Sequence, residues 1–384
     1  MALAIGVSVA NPYYGQSLLP QVQQAFGLPA GMVLLAPMIT QLGIAFGYLL
    51  LVPLGDSREQ RRLLGLLAVA MAMACIATLL AGNFAALLVA WFGLGLVALI
   101  PALLPTALAS VTPDSSRGHM LGIVLSGQFS GILLSRTVSG LVAQFWGWRS
   151  IYAISAGAML AVALLFWKRL PTLPATERGS YWQLQASQLD LWRRYGRLRR
   201  SCLTQALLFG TFMALWSAVA LHLAGPPWHL GPAMVGSFAL VGLASVAVAP
   251  LIGRWDDRSG PDRIVLAGMS FCGFGVLLLG LAPDSLVALA VGLMAVDLGV
   301  QGSFVANQAR IYALNSDARS RMSGQLFLTA YLGAAGCSIA IAALWGTWGW
   351  GGTCGFAFVL VSLGLAVERV SWRAGSGGDE ELLP

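Results

Sequence analysis

The sequence predicts an all-α integral membrane protein with twelve transmembrane helices, arranged as two related six-helix repeats. Three observations predict it. Of 384 residues, 58% are hydrophobic and only 10% charged, where soluble domains carry about 25% charged residues. Apolar runs rich in Leu, Ala and Gly recur along nearly the whole chain, each about 20 residues long, the length a helix needs to cross a hydrocarbon core of about 30 Å. Local patterns of the first half also return in the second at a fixed offset. Every backbone amide in lipid must be satisfied internally, so only helices or closed barrels can span, and barrel strands would alternate over about ten residues.

Windows of about 19 residues place spans 1 to 6 at residues 2–24, 30–54, 63–82, 84–110, 118–145 and 149–168, and spans 7 to 12 at 202–224, 231–254, 264–282, 286–311, 321–345 and 350–368. Between the two series, residues 169–200 carry prolines, an amphipathic stretch and seven arginines, and are too polar to span. The expected organisation is an N-terminal bundle (1–168), a linker (169–200), a C-terminal bundle (201–370) and a tail (371–384). Span 1 starts at Met1 without a charged leading segment or a small-residue cleavage site, and is expected to be a span rather than a removable signal.

Basic residues test this layout. On it, twenty of the 22 fall on one side, Arg58, Arg61 and Arg62 after span 2 and Arg369 and Arg373 near the end among them. Only Arg149 lies in a loop of the opposite face, and Arg136 falls inside a span. The positive-inside rule then predicts a cytoplasmic linker and cytoplasmic termini in a cell inner or plasma membrane. The net charge of +7 follows from this topology and does not imply nucleic acid. Cys75, Cys202, Cys272, Cys337 and Cys354 lie in or beside apolar segments without C-x-x-C spacing, and read as small core residues.

The repeat has an offset of 201 to 202 residues. It pairs Asp56 with Asp257, Arg117 and Gly122 with Arg319 and Gly324, Gly131 with Gly333, and Gly147-Trp148 with Gly349-Trp350. Matches on loop charges, glycines and tryptophans point to duplication, since chance alignment of apolar helices would match leucines. In repeated-bundle designs of this kind a site near the midplane lies between the halves.

After span 8 the sequence runs Gly253-Arg-Trp-Asp256-Asp257-Arg258-Ser-Gly260, a G-x-x-x-D-R-x-G pattern followed by Arg263. Its glycines allow a tight turn, and its acid can accept bonds from helix-end amides or a basic partner. After span 2 a shorter copy keeps Asp56, Arg61 and Arg62, with Val52 and Ser57 at positions that hold Gly and a basic residue in the full pattern. These loops resemble the signature loops of the major facilitator superfamily, and the resemblance covers the whole chain. It implies the superfamily fold and alternating-access movement of a small solute, usually by a monomer. It also implies that making and breaking bonds at Asp56, Arg61, Arg62, Gly253, Asp257, Arg258 and Gly260 gates the states.

Span 5, Gly127 to Gly140, resembles the G-x-x-x-G-P-x-x-G-G element of the drug:proton antiporter branch, with Ser135-Arg136 in place of Gly-Pro and Ser139 in place of a later glycine. The stretches ANPYYGQSLLP, GILLSRTVSG and NQARIYAL are similar to those of bacterial sugar and drug efflux permeases. This implies efflux of a sugar, drug or metabolite coupled to proton entry; a facilitator or importer without proton antiport is the alternative.

Two charges sit deep in spans. Arg136 costs at least about 2.5–3.5 kcal/mol to place there, so it faces a cavity or a partner; it either binds an anionic group or sets a gate, or is a structural arginine bonded to carbonyls. Asp297 of span 10 is the one acid placed well inside a span. A carboxylate away from water can cycle its proton near neutral pH, which makes Asp297 the proton-coupling candidate; the alternative is a carboxylate permanently paired with Arg136 or capped by polar neighbours. Helices 1, 4, 7 and 10 line the cavity in the superfamily. The expected cavity set is Asn11, Tyr14, Gln16, Gln41, Gln128, Arg136, Trp216, Gln301 and Asn307. No ATP-binding loop, metal-ligand spacing or acid-base cluster is present. The sequence therefore predicts no enzyme and no cofactor; the expected partners are the solute, protons and the lipid bilayer.

Overall fold

The computed structural model describes residues 1–52, 54, 58–112, 114–172, 181–242, 260–315 and 318–375. Where the predicted spans are described they are helical apart from short breaks and end residues. Eight helices among the described residues are long and apolar enough to cross a bilayer. One of them, Arg321–Val370, has 50 residues. At 1.5 Å per residue that is about 75 Å, more than twice a hydrocarbon core, so it makes two passes. Gly349, with φ 51°, reverses the chain between them. Asp114–Trp146 supplies span 5.

Prolines set the breaks. In span 1, Ala2–Ala10 and Tyr14–Phe26 are joined by a 3₁₀ turn, Asn11–Tyr13, around Pro12, whose missing N–H interrupts the hydrogen-bond ladder. Span 4 divides into Phe84–Leu96 and Ile100–Val111, with Pro101 opening the second piece. Span 8 begins as Pro232–Ser237 and tightens into a 3₁₀ turn, Phe238–Gly242. Asn83 caps span 4 by accepting from the Ala86 amide at 2.8 Å, and Ser285 caps span 10. The amphipathic part of the linker forms a helix, Tyr181–Arg194.

The arrangement is inside-out relative to a soluble protein. Large apolar side chains such as Leu3, Leu66, Phe145 and Leu281 are exposed, while Asn11, Gln16, Arg136 and Asp297 are buried. Lipid drives little helix association by itself, so close packing over small residues does that work.

The duplicated positions occupy equivalent places. Gly147 and Gly349 both take positive φ, 80° and 51°, at the turns after spans 5 and 11. Their neighbours Trp148 and Trp350 are both buried. A side chain on Gly131 would strike Gly6 of span 1, and one on Gly333 would strike Ala206 of span 7. Span 5 therefore packs on span 1 as span 11 packs on span 7.

The two series of helices meet along spans 5 and 8, 2 and 11, and 1 and 7. On the face carrying the chain ends, the linker helix touches both series. Gln185 donates to the Leu49 carbonyl of span 2, while Gln325 of span 11 donates to the Gln188 carbonyl and Arg321 to Ser187 Oγ.

Candidate functional site

The central site begins with Arg136, 2% exposed on span 5. Its Nε and Nη2 donate to Gln16 Oε1 of span 1 at 3.0 and 2.7 Å. Its guanidinium carbon lies 4.4 Å from the centroid of the Trp216 indole and 5.7 Å from the Tyr13 and Phe212 rings. The charge is thus held by a side-chain amide and three aromatic faces rather than by backbone carbonyls; a desolvated cation–π contact contributes about 2 kcal/mol. Gln16 in turn donates to Met213 Sδ of span 7 at 3.0 Å.

Asp297 is 1% exposed on span 10. Trp216 Nε1 donates to its Oδ1 at 2.9 Å. Oδ2 has no hydrogen-bond partner among the described residues, nor has Arg136 Nη1. Among the described residues no direct ion pair joins Arg136 to Asp297; the indole of Trp216 stands between them and binds both. Gln16 and Arg136 come from the first six spans, Trp216 and Asp297 from the last six, so the chain of contacts crosses the interface between the two series.

A cavity of about 100 Å³ lies on the chain-end side of this layer. Spans 1, 2, 4, 5, 7, 10 and 11 line it. Its wall is aromatic, with Tyr13, Tyr48, Phe209, Phe212, Phe304, Phe327 and Tyr331, and its amides are Gln128, Gln205 and Gln301. The rings form a continuous set: Tyr48 stacks on Phe327 at 5.0 Å, Phe209 meets Tyr331 edge-on at 5.1 Å, and the Tyr13 and Tyr331 hydroxyls are 3.1 Å apart. A wider recess of about 800 Å³ opens on the opposite face, lined in part by Gln21, Gln23, Gln24, His222, Trp345 and Trp350. On spans 1 and 7 the first cavity uses residues 9–13 and 205–212, and the second residues 20–30 and 221–226. Gln16 and Trp216 fall between the two, so the Gln16–Arg136–Trp216 layer separates them.

Of the nine residues expected to line a cavity, Gln128 and Gln301 do so. Gln16, Arg136 and Trp216 form the layer behind it. Asn307 stands one shell back and donates to Gln205 Oε1 at 3.3 Å. Asn11 joins spans 1, 3 and 6, accepting at Oδ1 from Cys75 Sγ at 3.1 Å and from Ser155 Oγ. Tyr14 packs edge-on against Tyr152 and Gln41 is buried in span 2; neither lines the cavity. The physical reason is rotational: a polar residue in a span satisfies itself against any neighbouring helix, and composition alone does not give the face. Spans 2, 5 and 11 also contribute to the wall, beyond the expected 1, 4, 7 and 10.

A second charged cluster lies at the chain-end side of the last six spans. Glu368, fully buried in span 12, accepts from Arg200 Nε at 2.9 Å, Thr204 Oγ1 at 2.7 Å and Arg310 Nη1 at 3.1 Å. Arg310 also reaches Asp262 at 2.7 Å. Sequence reasoning counted Arg200 and Arg310 as loop and boundary charge and left Glu368 at a span end; the signal was an acid and two arginines at matching depths.

Of the loop residues, Asp56, Gly253, Asp257 and Arg258 lie outside the described residues. Gly260 takes φ 79° and starts the helix of span 9. Exposed Arg62 pairs with Glu59 at 2.9 Å, one turn of helix away. Arg61 is half-buried beside it.

Comparison with known proteins agrees with this architecture. The family described as Major Facilitator Superfamily matches residues 1–221. The chain belongs to the major facilitator superfamily. As a member of that superfamily it is a multi-pass membrane transporter. It is 32% identical over 375 residues to an uncharacterized transporter, YgaY, of Escherichia coli O157:H7, covering 97% of this chain and 94% of that one. A probable transporter of Streptomyces coelicolor is 31% identical, covering 96% of this chain and 86% of its own length. A probable sugar efflux transporter of Pasteurella multocida is 25% identical, covering 83% and 77%. Among solved structures, the peptide transporter POT in complex with sulfate superimposes with a TM-score of 0.75 at 14% identity, covering 98% of this chain and 93% of that one, a likeness of fold.

Proposed function

We propose that this chain is a secondary active transporter of the cell inner membrane that exports a small organic solute in exchange for protons, with Asp297 carrying the proton. The observation that carries this reading is the setting of Asp297: a buried carboxylate with one oxygen on the Trp216 indole and the other without a hydrogen-bond partner among the described residues, one ring away from Arg136, whose Nη1 has none among them either. A charge so placed costs several kcal/mol unless it is partnered or neutralised, so uptake and release of a proton change the energy of the interface between the two series of helices.

In this reading residues 1–168 and 201–370 rock about the site, joined by the linker 169–200, and the face carrying the chain ends is cytoplasmic. The aromatic and amide cavity receives the solute from that side, while the Gln16–Arg136–Trp216 layer closes the outer side. The low-identity relative named as a sugar efflux transporter supports efflux as the direction. The gating roles of Asp56, Arg61, Arg62, Gly253, Asp257, Arg258 and Gly260 belong to the same reading.

The test is proton movement in proteoliposomes under an imposed pH gradient while sugars, drugs and organic anions are screened. A solute-evoked proton flux that is lost in Asp297→Asn supports the reading. Solute movement without proton flux, unchanged by Asp297→Asn, would replace it with a facilitator.

A further inference from the structure

We propose that Trp216 is the positioning residue through which the charge on Asp297 holds the outer side of the transporter shut. The inference rests on the reading of Asp297 as the proton carrier and adds the means by which its charge reaches the moving interface.

Arg136 and Asp297 have opposite charge, yet neither touches the other directly. A single indole serves both: its N–H is on Asp297 Oδ1 at 2.9 Å and its face is under the Arg136 guanidinium at 4.4 Å. A hydrogen bond to an ionised acceptor is roughly twice as strong as one to a neutral group. Bonds in series also polarise one another in a low-dielectric interior. An N–H held by a carboxylate pushes electron density into the ring, which strengthens the hold of the ring face on a cation. Protonation of Asp297 weakens the N–H bond, releases the orientation of the indole and leaves Arg136 held chiefly by Gln16.

The same turn of span 5 forms the outer closure. The Arg136 carbonyl is packed tightly against Gly236 of span 8, and Thr137 Oγ1 donates to the Gly236 carbonyl at 3.0 Å. Whatever fixes the Arg136 side chain to span 7 therefore fixes the span 5 backbone against span 8. A coupled exchanger needs such a lock, because a carrier holding neither solute nor proton must not reorient.

Among the described residues, the groups packed around Asp297 leave few other routes for a pH effect. Span 5 presents Arg136 and Leu133, span 7 presents Trp216, span 8 presents Gly242, and span 9 the thiol of Cys272; Tyr13 of span 1 and Tyr331 of span 11 stand beyond Arg136. Thiols and phenols are uncharged near neutral pH in their ordinary form.

The experiment places a cysteine at Ile132, on the cavity wall below the layer, and measures its labelling by a membrane-impermeant maleimide added outside sealed right-side-out vesicles, with equal pH on both sides. The otherwise unaltered chain, whose described cysteines are all buried, is the background control. Labelling should be slow at pH 8 and rise as pH falls. Trp216→Phe keeps a ring face and loses the N–H; it should label about ten to a hundred times faster at pH 8, the factor of one hydrogen bond to an ionised acceptor, with no further rise on acidification. Asp297→Asn should also be pH-independent. If Asp297→Asn removes the pH dependence while Trp216→Phe keeps it, the role of Trp216 is overturned and that of Asp297 stands. If Asp297→Asn keeps it, the reading of Asp297 itself fails. Should Trp216→Phe elute as aggregate, Arg136→Lys reads the other end of the chain: fast labelling at every pH supports the proposal, and the unaltered pH profile overturns it.

Discussion

Gly140 of span 5 and Gly236 of span 8 meet with no side chain between them. A Cβ on Gly236 would lie 3.3 Å from the Cα of Gly140 and collide with the Arg136 carbonyl. A close approach of the two series of helices on the outer side thus falls on the residue that carries the buried charge, so the closure and the charged layer are one structure.

Gly236→Val should prevent that approach. Overpacking at a tight contact costs about 1–3 kcal/mol, enough to move a two-state equilibrium by roughly five- to hundredfold. External labelling of a cysteine at Ile132 should rise accordingly at pH 8; an unchanged rate would show that this contact does not close the path.

Gly242→Ala should impair proton coupling without unfolding the protein. A methyl group there would press on Asp297 Oδ2 and Leu133, displacing the carboxylate from the Trp216 N–H. The expected result is a loss of about tenfold in solute-evoked proton flux, with the thermal unfolding of the detergent-solubilised protein lowered by only a few degrees. Unaltered flux would mean that the carboxylate position is not critical.

Glu368→Gln should be strongly destabilising. It leaves Arg200 and Arg310 side by side, with half-exposed Asp262 the acid that remains to them among the described residues. Removing one member of a buried ion network costs about 3–5 kcal/mol; the exposure of Asp262 puts the expectation at the lower end. Denaturant unfolding of the solubilised protein measures it, and a change below about 1 kcal/mol would contradict a buried, closely bonded network.

Much of this arrangement was legible in the sequence, and the reasons are physical. Span positions follow from the length of a hydrocarbon core, whereas the breaks at Pro12 and Pro101 inside spans 1 and 4 emerged only with the fold. The repeat was visible at Gly147 and Gly349 because a reversed turn with positive φ favours glycine. Arg136 and Asp297 stood out because ionised groups are rare at that depth. The partners of these charges were not legible. That Trp216 lies between them depends on helix rotation, which a nearly uniform apolar sequence does not encode. Likewise Phe209, Phe304 and Phe327 read as ordinary lipid-facing or core residues until the fold places them on the cavity wall, and Asn11 reads as a cavity residue until the fold turns it toward Cys75 and Ser155.

The most direct test of proton coupling through Asp297 compares two modes of transport in the same proteoliposomes. Asp297→Asn should retain solute exchange between equal concentrations on the two sides, which needs no net proton movement, and should lose concentrative transport driven by a pH gradient. Concentrative transport at the unaltered rate in Asp297→Asn would contradict the account.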